Sequence, residues 1–327
     1  MVAQDALAAP VALHTPRSRA RLLGWITLGI VLATIVMGAV VRATHSGDGC
    51  GQSWPGCEGG LVLPGTSDMA HLIELSHRLI SGLSLIAMAA LVLAVHRAFA
   101  APHPARRAVR WTLAFLIFEA LIGAVIVLYG WVTDDRSVAR QVSVPLHLVN
   151  TFLLTAFMAL TLWLMSGNAV PRLRAAGREF WLLLGLAGVL LLMAATGATT
   201  SLADTLFAAE TMAEGLRQDF DAESALIVRL RILHPIIAVS GGVLLAWFAW
   251  RRLEVSERRG HPWPARILVG GVTVQAMLGF VHIALLTPLA TGLLHLFIAQ
   301  VLWLALSFLA LTLLAPSEAA PATEAPR

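Results

Sequence analysis

The chain is 327 residues long, 58% hydrophobic and only 13% charged, a balance that excludes an ordinary soluble domain. All 23 basic residues are arginines. They cluster by position, so the formal net charge of +4 reflects topology and gives no reason to expect a nucleic-acid partner.

Uncharged runs recur at membrane-spanning length: Leu22–Val41 is 20 residues, Phe180–Ala203 is 24 and Ile232–Trp250 is 19. A helix needs roughly 20 apolar residues to cross the hydrocarbon core. The same count along the chain predicts eight spans, at about 22–43, 71–95, 111–131, 143–165, 180–203, 228–250, 267–287 and 291–314. The last two share one uncharged stretch, and Thr287-Pro288 marks a turn between them. The expected class is therefore an all-α, polytopic membrane protein.

Residues 1–21 show no cleavable signal pattern, so the first span is expected to serve as anchor and signal together. Fifteen arginines lie before span 1 and between spans 2 and 3, 4 and 5, and 6 and 7. Short cytoplasmic loops retain positive charge, which predicts both termini in the cytoplasm. Trp25, Trp111, Trp181 and Trp250 mark the same boundary. Lysine-free, arginine- and alanine-rich usage points to a bacterial plasma membrane. The first outer loop, about 44–70, carries the two cysteines, Cys50 and Cys57, in "CGQSWPGC". In the third outer loop, Met212, Leu216 and Phe220 recur every four residues, which predicts a short surface helix. The tail 315–327 reads as disordered.

The two halves resemble each other. "EALIGAVIVL" aligns with "QAMLGFVHIAL", setting Gly123 opposite Gly279. "VPLHLVN" matches "GLLHLFIAQ", and "ELSHRLISG" matches "RILHPIIAVSGG", so His77 faces His234 and His147 faces His295 in the alignment. An even number of spans per copy sends both units into the membrane in one direction, which predicts a pseudo-two-fold axis along the membrane normal. The expected organisation is an N-terminal four-helix bundle over 22–166, a linker over 167–179 and a C-terminal bundle over 180–314.

Each half thus offers two imidazoles at one depth. Ionisable groups in a membrane are costly, and imidazole nitrogens are good axial ligands for haem iron. Two bis-histidine haem sites are predicted, with His282 left out because its counterpart is Ile126. Glu74 lies three residues before His77, but the equivalent position of the second half is Arg231, and that of Arg78 is Pro235. A carboxylate beside one histidine pair points to oxidation chemistry in the first half. Arg42, Arg78, Arg229 and Arg231 suit haem propionates.

Taken together, "GAVVRATHSGDGCGQSWPGC", "ELSHR", "VPLHLVN" and "LLHLF" resemble the haem A synthase family over about 20–314. The resemblance implies oxidation of the C8 methyl of haem O to a formyl group for terminal oxidases. It implies a haem b cofactor on His234 and His295, and substrate near His77, His147, Arg42 and Arg78 with Glu74 as the key carboxylate. Implied partners are membrane lipid, an electron acceptor such as a quinone, and haem O synthase or oxidase assembly proteins. A Cys50–Cys57 disulfide is chemically allowed on the outer side, as a redox relay or as a structural clip. A di-haem b-type electron carrier and a parallel-repeat transporter are the rival readings; Glu74 speaks against the first and the lack of broken helices against the second.

Overall fold

The computed structural model describes residues 15–57, 68–173 and 177–316, and among these it is helical with no strand. Of the predicted segments 1–21 and 315–327, only residues 15–21 and 315–316 lie within that description. The helices are α1 (Pro16–Ala43), α2 (Met69–Ala98), α3 (Ala105–Leu128), α4 (Val138–Met165), α5 (Arg178–Leu206), α6 (Met212–Phe220), α7 (Leu226–Arg229), α8 (Leu233–Arg258), α9 (Trp263–Ala284) and α10 (Leu289–Leu314). A 3-10 turn, Leu230–Ile232, joins α7 to α8. Among the described residues, eight runs are long and apolar enough to cross a membrane, with α7 and α8 counted as one. The chain is a multi-pass helical membrane protein.

Each predicted span falls on one of these runs. At the arginine-bearing end the helices reach past the apolar stretch, as where α1 begins at Pro16 and α3 at Ala105. Arginine is a good helix former and can extend its head group toward water, so charge there does not stop a helix. Side chains set several starts: Thr15, Asp68, Ser137 and Thr211 each accept a backbone N–H from the first turn of α1, α2, α4 and α6. The predicted surface helix is α6. The predicted turn also forms, with Leu286 and Thr287 both at positive φ before α10.

Within the first half α1 packs on α2, α3 on α4, and α1 on α4. Within the second, α5 packs on α8, α8 on α9, and α9 on α10. Between halves the contacts are α4 on α5, α1 on α10, and α4 on α10. A two-fold operation that exchanges the halves turns the first of these into the second and leaves the third on the axis. The central helices are accordingly the most enclosed: 67% of the apolar window of α4 and 50% of that of α10 are buried, against 6% for α9.

Two apolar cores lie toward the arginine-bearing end. One gathers Leu28, Met88, Leu91, Val109 and Leu162; the other gathers Leu186, Leu245, Leu268, Trp303 and Leu309. Polar bonds also cross between the halves. Trp303 Nε1 donates to Phe152 O at 2.6 Å. Arg42 Nη1 donates to Ser201 O and Thr205 Oγ1, both at 3.0 Å, and Nη2 donates to Ser201 Oγ at 2.8 Å. Setting "GAVVR" on "GATTS" places Ser201 at the position of Arg42. The arginine of one half therefore grips its own counterpart in the other. Hydrogen bonds to charged groups contribute about 1.5–3 kcal/mol each in favourable cases. Arg42→Met is expected to destabilise by on the order of 2–3 kcal/mol, read as a lower thermal midpoint by circular dichroism in detergent. A native midpoint would mean that this contact does not hold the halves together.

Candidate functional site

The four aligned histidines sit at equivalent places on α2, α4, α8 and α10, each facing a glycine of the preceding long helix. A Cβ added at Gly38 would lie 3.1 Å from His77 Cε1, at Gly197 2.9 Å from His234 Cε1, and at Gly279 3.2 Å from His295 Cε1. At Gly123 it would lie 3.9 Å from His147 Nε2. At Gly197 a Cβ would force the ring to shift, and at Gly38 and Gly279 it would be crowded, so glycine is what lets the histidine helix close tightly on its neighbour. His282 of α9 also faces a glycine, Gly292 of the following helix α10, at 3.1 Å, and its Nδ1 lies 2.8 Å from Thr291 Oγ1.

Several imidazole nitrogens have no protein partner. Nδ1 of His77 and of His295 is buried and unbonded. A buried polar atom left so costs about 1–3 kcal/mol, which marks these rings as kept for a ligand. The rings of His234 and His295 are 6.4 Å apart between centroids, at 79°. One metal ion fits such a gap, allowing about 2 Å per metal–nitrogen bond and roughly 1 Å from each nitrogen to its ring centre. His282 lies 6.5 Å from His295, stacked at 14°, so the second half holds a third imidazole that the sequence pairing left aside. The donor set suits haem iron: paired imidazoles on facing helices, His234 and His295 with their rings close together, and glycine walls.

The two halves differ around these rings. Glu119 of α3 places Oε1 3.0 Å from His147 Nδ1, close in distance but out of line for a hydrogen bond. Its carboxylate accepts from Asn150 Nδ2 at 2.5 Å and from the hydroxyl of Thr151. In the second half the equivalents are Gln275, Ile298 and Ala299. Gln275 Nε2 donates to His295 O at 3.1 Å, and nothing holds an acid there. The sequence carried this signal in the alignment of "EALIG" on "QAMLG", yet only the fold brings Asn150 and Thr151 to the same carboxylate.

Glu74 is buried, and its carboxylate meets the cysteine loop. Oε2 accepts Cys50 N–H at 2.8 Å; Oε1 accepts Arg78 Nε at 3.1 Å and Nη2 at 2.5 Å. Arg78 Nη1 in turn donates to Ser53 O at 2.6 Å and to Gly56 O. The Cys50–Cys57 disulfide is closed, with Cα atoms 4.4 Å apart. His71, far from either cysteine in sequence, has its ring beside both sulfurs. Arg231, the counterpart of Glu74, performs the same kind of anchoring with opposite charge, binding Asp219 at 2.8 Å, Asp204 at 3.1 Å and Gln218 at 3.1 Å. Of the four arginines expected near propionates, Arg42, Arg78 and Arg231 thus already have protein partners.

Because Glu74 and Arg78 pin the cysteine loop, loosening them should expose the disulfide by local opening. Glu74→Gln and Arg78→Ala are each expected to speed reduction of Cys50–Cys57 by a small-molecule dithiol several-fold, followed by alkylation and mass shift. Native reduction rates in both would show that the loop is held by other contacts.

The family described as cytochrome oxidase assembly protein, COX15-CtaA, matches residues 21–307. A protein of Thermus thermophilus named protohaem IX farnesyltransferase is 39% identical over 289 residues, which are 86% of this chain and 47% of that protein. A haem A synthase of Staphylococcus haemolyticus is 42% identical over 115 residues, 33% of this chain and 36% of that one. A haem A synthase of an Exiguobacterium species is 35% identical over 125 residues, 38% of this chain and 40% of that one. The chain spans about half the length, or less, of these curated relatives. With the match running through all eight membrane spans and the four aligned histidines, this chain belongs to the COX15-CtaA family of cytochrome oxidase assembly proteins.

Proposed function

We propose that the chain is a haem A synthase, oxidising the C8 methyl of haem O to a formyl group in its first half, with haem b held in its second. The carrying observation is the pair of matching histidine sites that differ at two aligned positions: the first half has Glu119 and Glu74 where the second has Gln275 and Arg231. The names of the relatives support the same substrate. Several are called haem A synthase, and one about twice as long is called protohaem IX farnesyltransferase, an enzyme type that would make a farnesylated haem.

In this reading His77 and His147 orient the substrate haem between α2 and α4, and Gly38 and Gly123 leave the walls flat. Asn150 and Thr151 fix Glu119 beside His147. That sets a carboxylate directly beside one ring of the pair, at a place where the second half has Gln275. Glu74 is the candidate acid–base group, its carboxylate held at the outer end of the site by Arg78 and Cys50 N–H. Two hydroxylations at one carbon give a geminal diol, and loss of water leaves the formyl group. A carboxylate that accepts and returns protons suits both stages. His234 and His295 hold haem b, which supplies one-electron transfer when bound. The arginine-bearing end lies in the cytoplasm of a bacterium, and the cysteine loop outside. A quinone is the candidate electron acceptor, and the haem-farnesylating enzyme and oxidase assembly proteins are candidate partners.

Pigment extraction and chromatography from membranes containing this chain and haem O test the activity. Haem A should appear with the native chain; persistence of haem O alone would leave the electron-carrier reading. Glu74→Gln is expected to slow conversion by about 10²–10⁴ while the haem b spectrum stays native. Near-native conversion would reduce Glu74 to a loop anchor. Gly197→Val is expected to abolish the low-spin haem b signal by driving a side chain into His234, whereas Gly123→Ala should be tolerated. Haem b retained in Gly197→Val would remove the glycine wall from the account.

A further inference from the structure

A cluster outside both histidine pairs has the makings of a metal site. His71 Nδ1 lies 2.9 Å from Gly49 O. A carbonyl oxygen only accepts, so Nδ1 carries the ring proton and Nε2 carries the lone pair. That Nε2 is buried with no hydrogen-bond partner, within 4.8 Å of the sulfurs of Cys50 and Cys57. The surroundings favour negative charge on sulfur. The loop packs on the first turn of α2, where a Cβ at Gly49 would run into Ala70 and His71 N, and the partial positive charge of a helix start acts there. Arg78, its charge shared with Glu74, brings further N–H donors to the loop at Ser53 O and Gly56 O.

We propose that, once the disulfide is opened, Cys50, Cys57 and His71 form a three-coordinate site for Cu(I). A dithiol reductant opens it by exchange: two electrons and two protons pass to the protein, giving two thiols, and the reductant leaves as its own disulfide. Each thiol then releases a proton as its sulfur binds the metal. Two thiolates and one imidazole suit a soft d10 monocation. Zn(II) prefers a fourth ligand, and among the described residues no carboxylate joins these three, Glu74 being occupied by Cys50 N–H and Arg78. The closed disulfide masks the site, so metal binding follows the redox state of the loop.

The test uses the full chain in detergent, either as disulfide or reduced with dithiothreitol and freed of it anaerobically. Cu(I) is supplied as its bicinchoninate complex, and chelator absorbance reports transfer. The dithiol form should take one Cu(I) per chain more than the disulfide form, which also subtracts binding to the other histidines. X-ray absorption should show two sulfurs and one nitrogen. His71→Asn keeps a donor for Gly49 O but lacks Nε2, and should weaken binding at least about tenfold. Cys57→Ser should abolish the redox-dependent uptake. Equal uptake by the two redox forms, native affinity in a folded His71→Asn protein, or tighter binding of Zn(II) than Cu(I) would each overturn the assignment.

Discussion

The close approach of each histidine-bearing helix to a glycine on its neighbour is the contact on which the rest of the protein depends. In lipid, apolar side chains gain little by leaving the solvent, so helices associate where small residues let backbones meet and van der Waals contact is dense. Here the surface that meets the glycine is an imidazole. With a Cβ at 2.9 Å from the ring at Gly197, or 3.1 Å at Gly38, the helices would separate or the ring would rotate away. The same contact therefore sets helix spacing and ring orientation. It recurs at His77, His234 and His295, with a looser version at His147, and gives each half a pair of imidazoles at one depth.

On that repeated frame, charge breaks the symmetry. Glu119, Asn150 and Thr151 form one polar cluster behind His147, and the second half replaces all three with Gln275, Ile298 and Ala299. Glu74 and Arg231 differ in sign but share a task, since each ties an outer segment to the bundle. Arg42 goes further and spans the halves, bonding the residue at its own equivalent position. A duplicated structure can give up one copy's chemistry without losing its packing, because most of the packing rests on glycines and apolar cores outside the diverged positions.

Stability and chemistry also occupy different ends. The two largest apolar clusters lie in the arginine-bearing half of the bundle, where Arg252 pairs bidentately with Glu179 at 2.7 and 2.8 Å and Arg259 binds the last carbonyls of α10. The opposite end carries the histidines, the glycine walls and the cysteine loop. Space for a ligand means unmade contacts, and a firm core at the other end keeps the helices in place around that space.

The eight spans, the turn at Thr287-Pro288, helix α6 and the four aligned histidines were legible in the sequence because they depend on local or repeated features. Apolar run length, four-residue periodicity and a proline after a helix need no knowledge of neighbours. The Cys50–Cys57 pairing was legible as an allowed bond, and the alignment of halves predicted which histidines correspond. What each side chain meets was another matter. Three residues along a helix is about 4.5 Å of rise and about 60° of rotation; Glu74 shares a face with His77, but its carboxylate reaches the loop above. His71 comes to the cysteines, and Asn150 and Thr151 to Glu119, only through the docking of α2 on the loop and of α3 on α4. Sequence by itself determined the elements, their order and their pairing by repeat, since those are written in hydrophobic length and periodicity. Tertiary structure decided the partners, because helix rotation and tilt, fixed by glycine contacts tens of residues away, choose which polar atoms come within hydrogen-bonding distance.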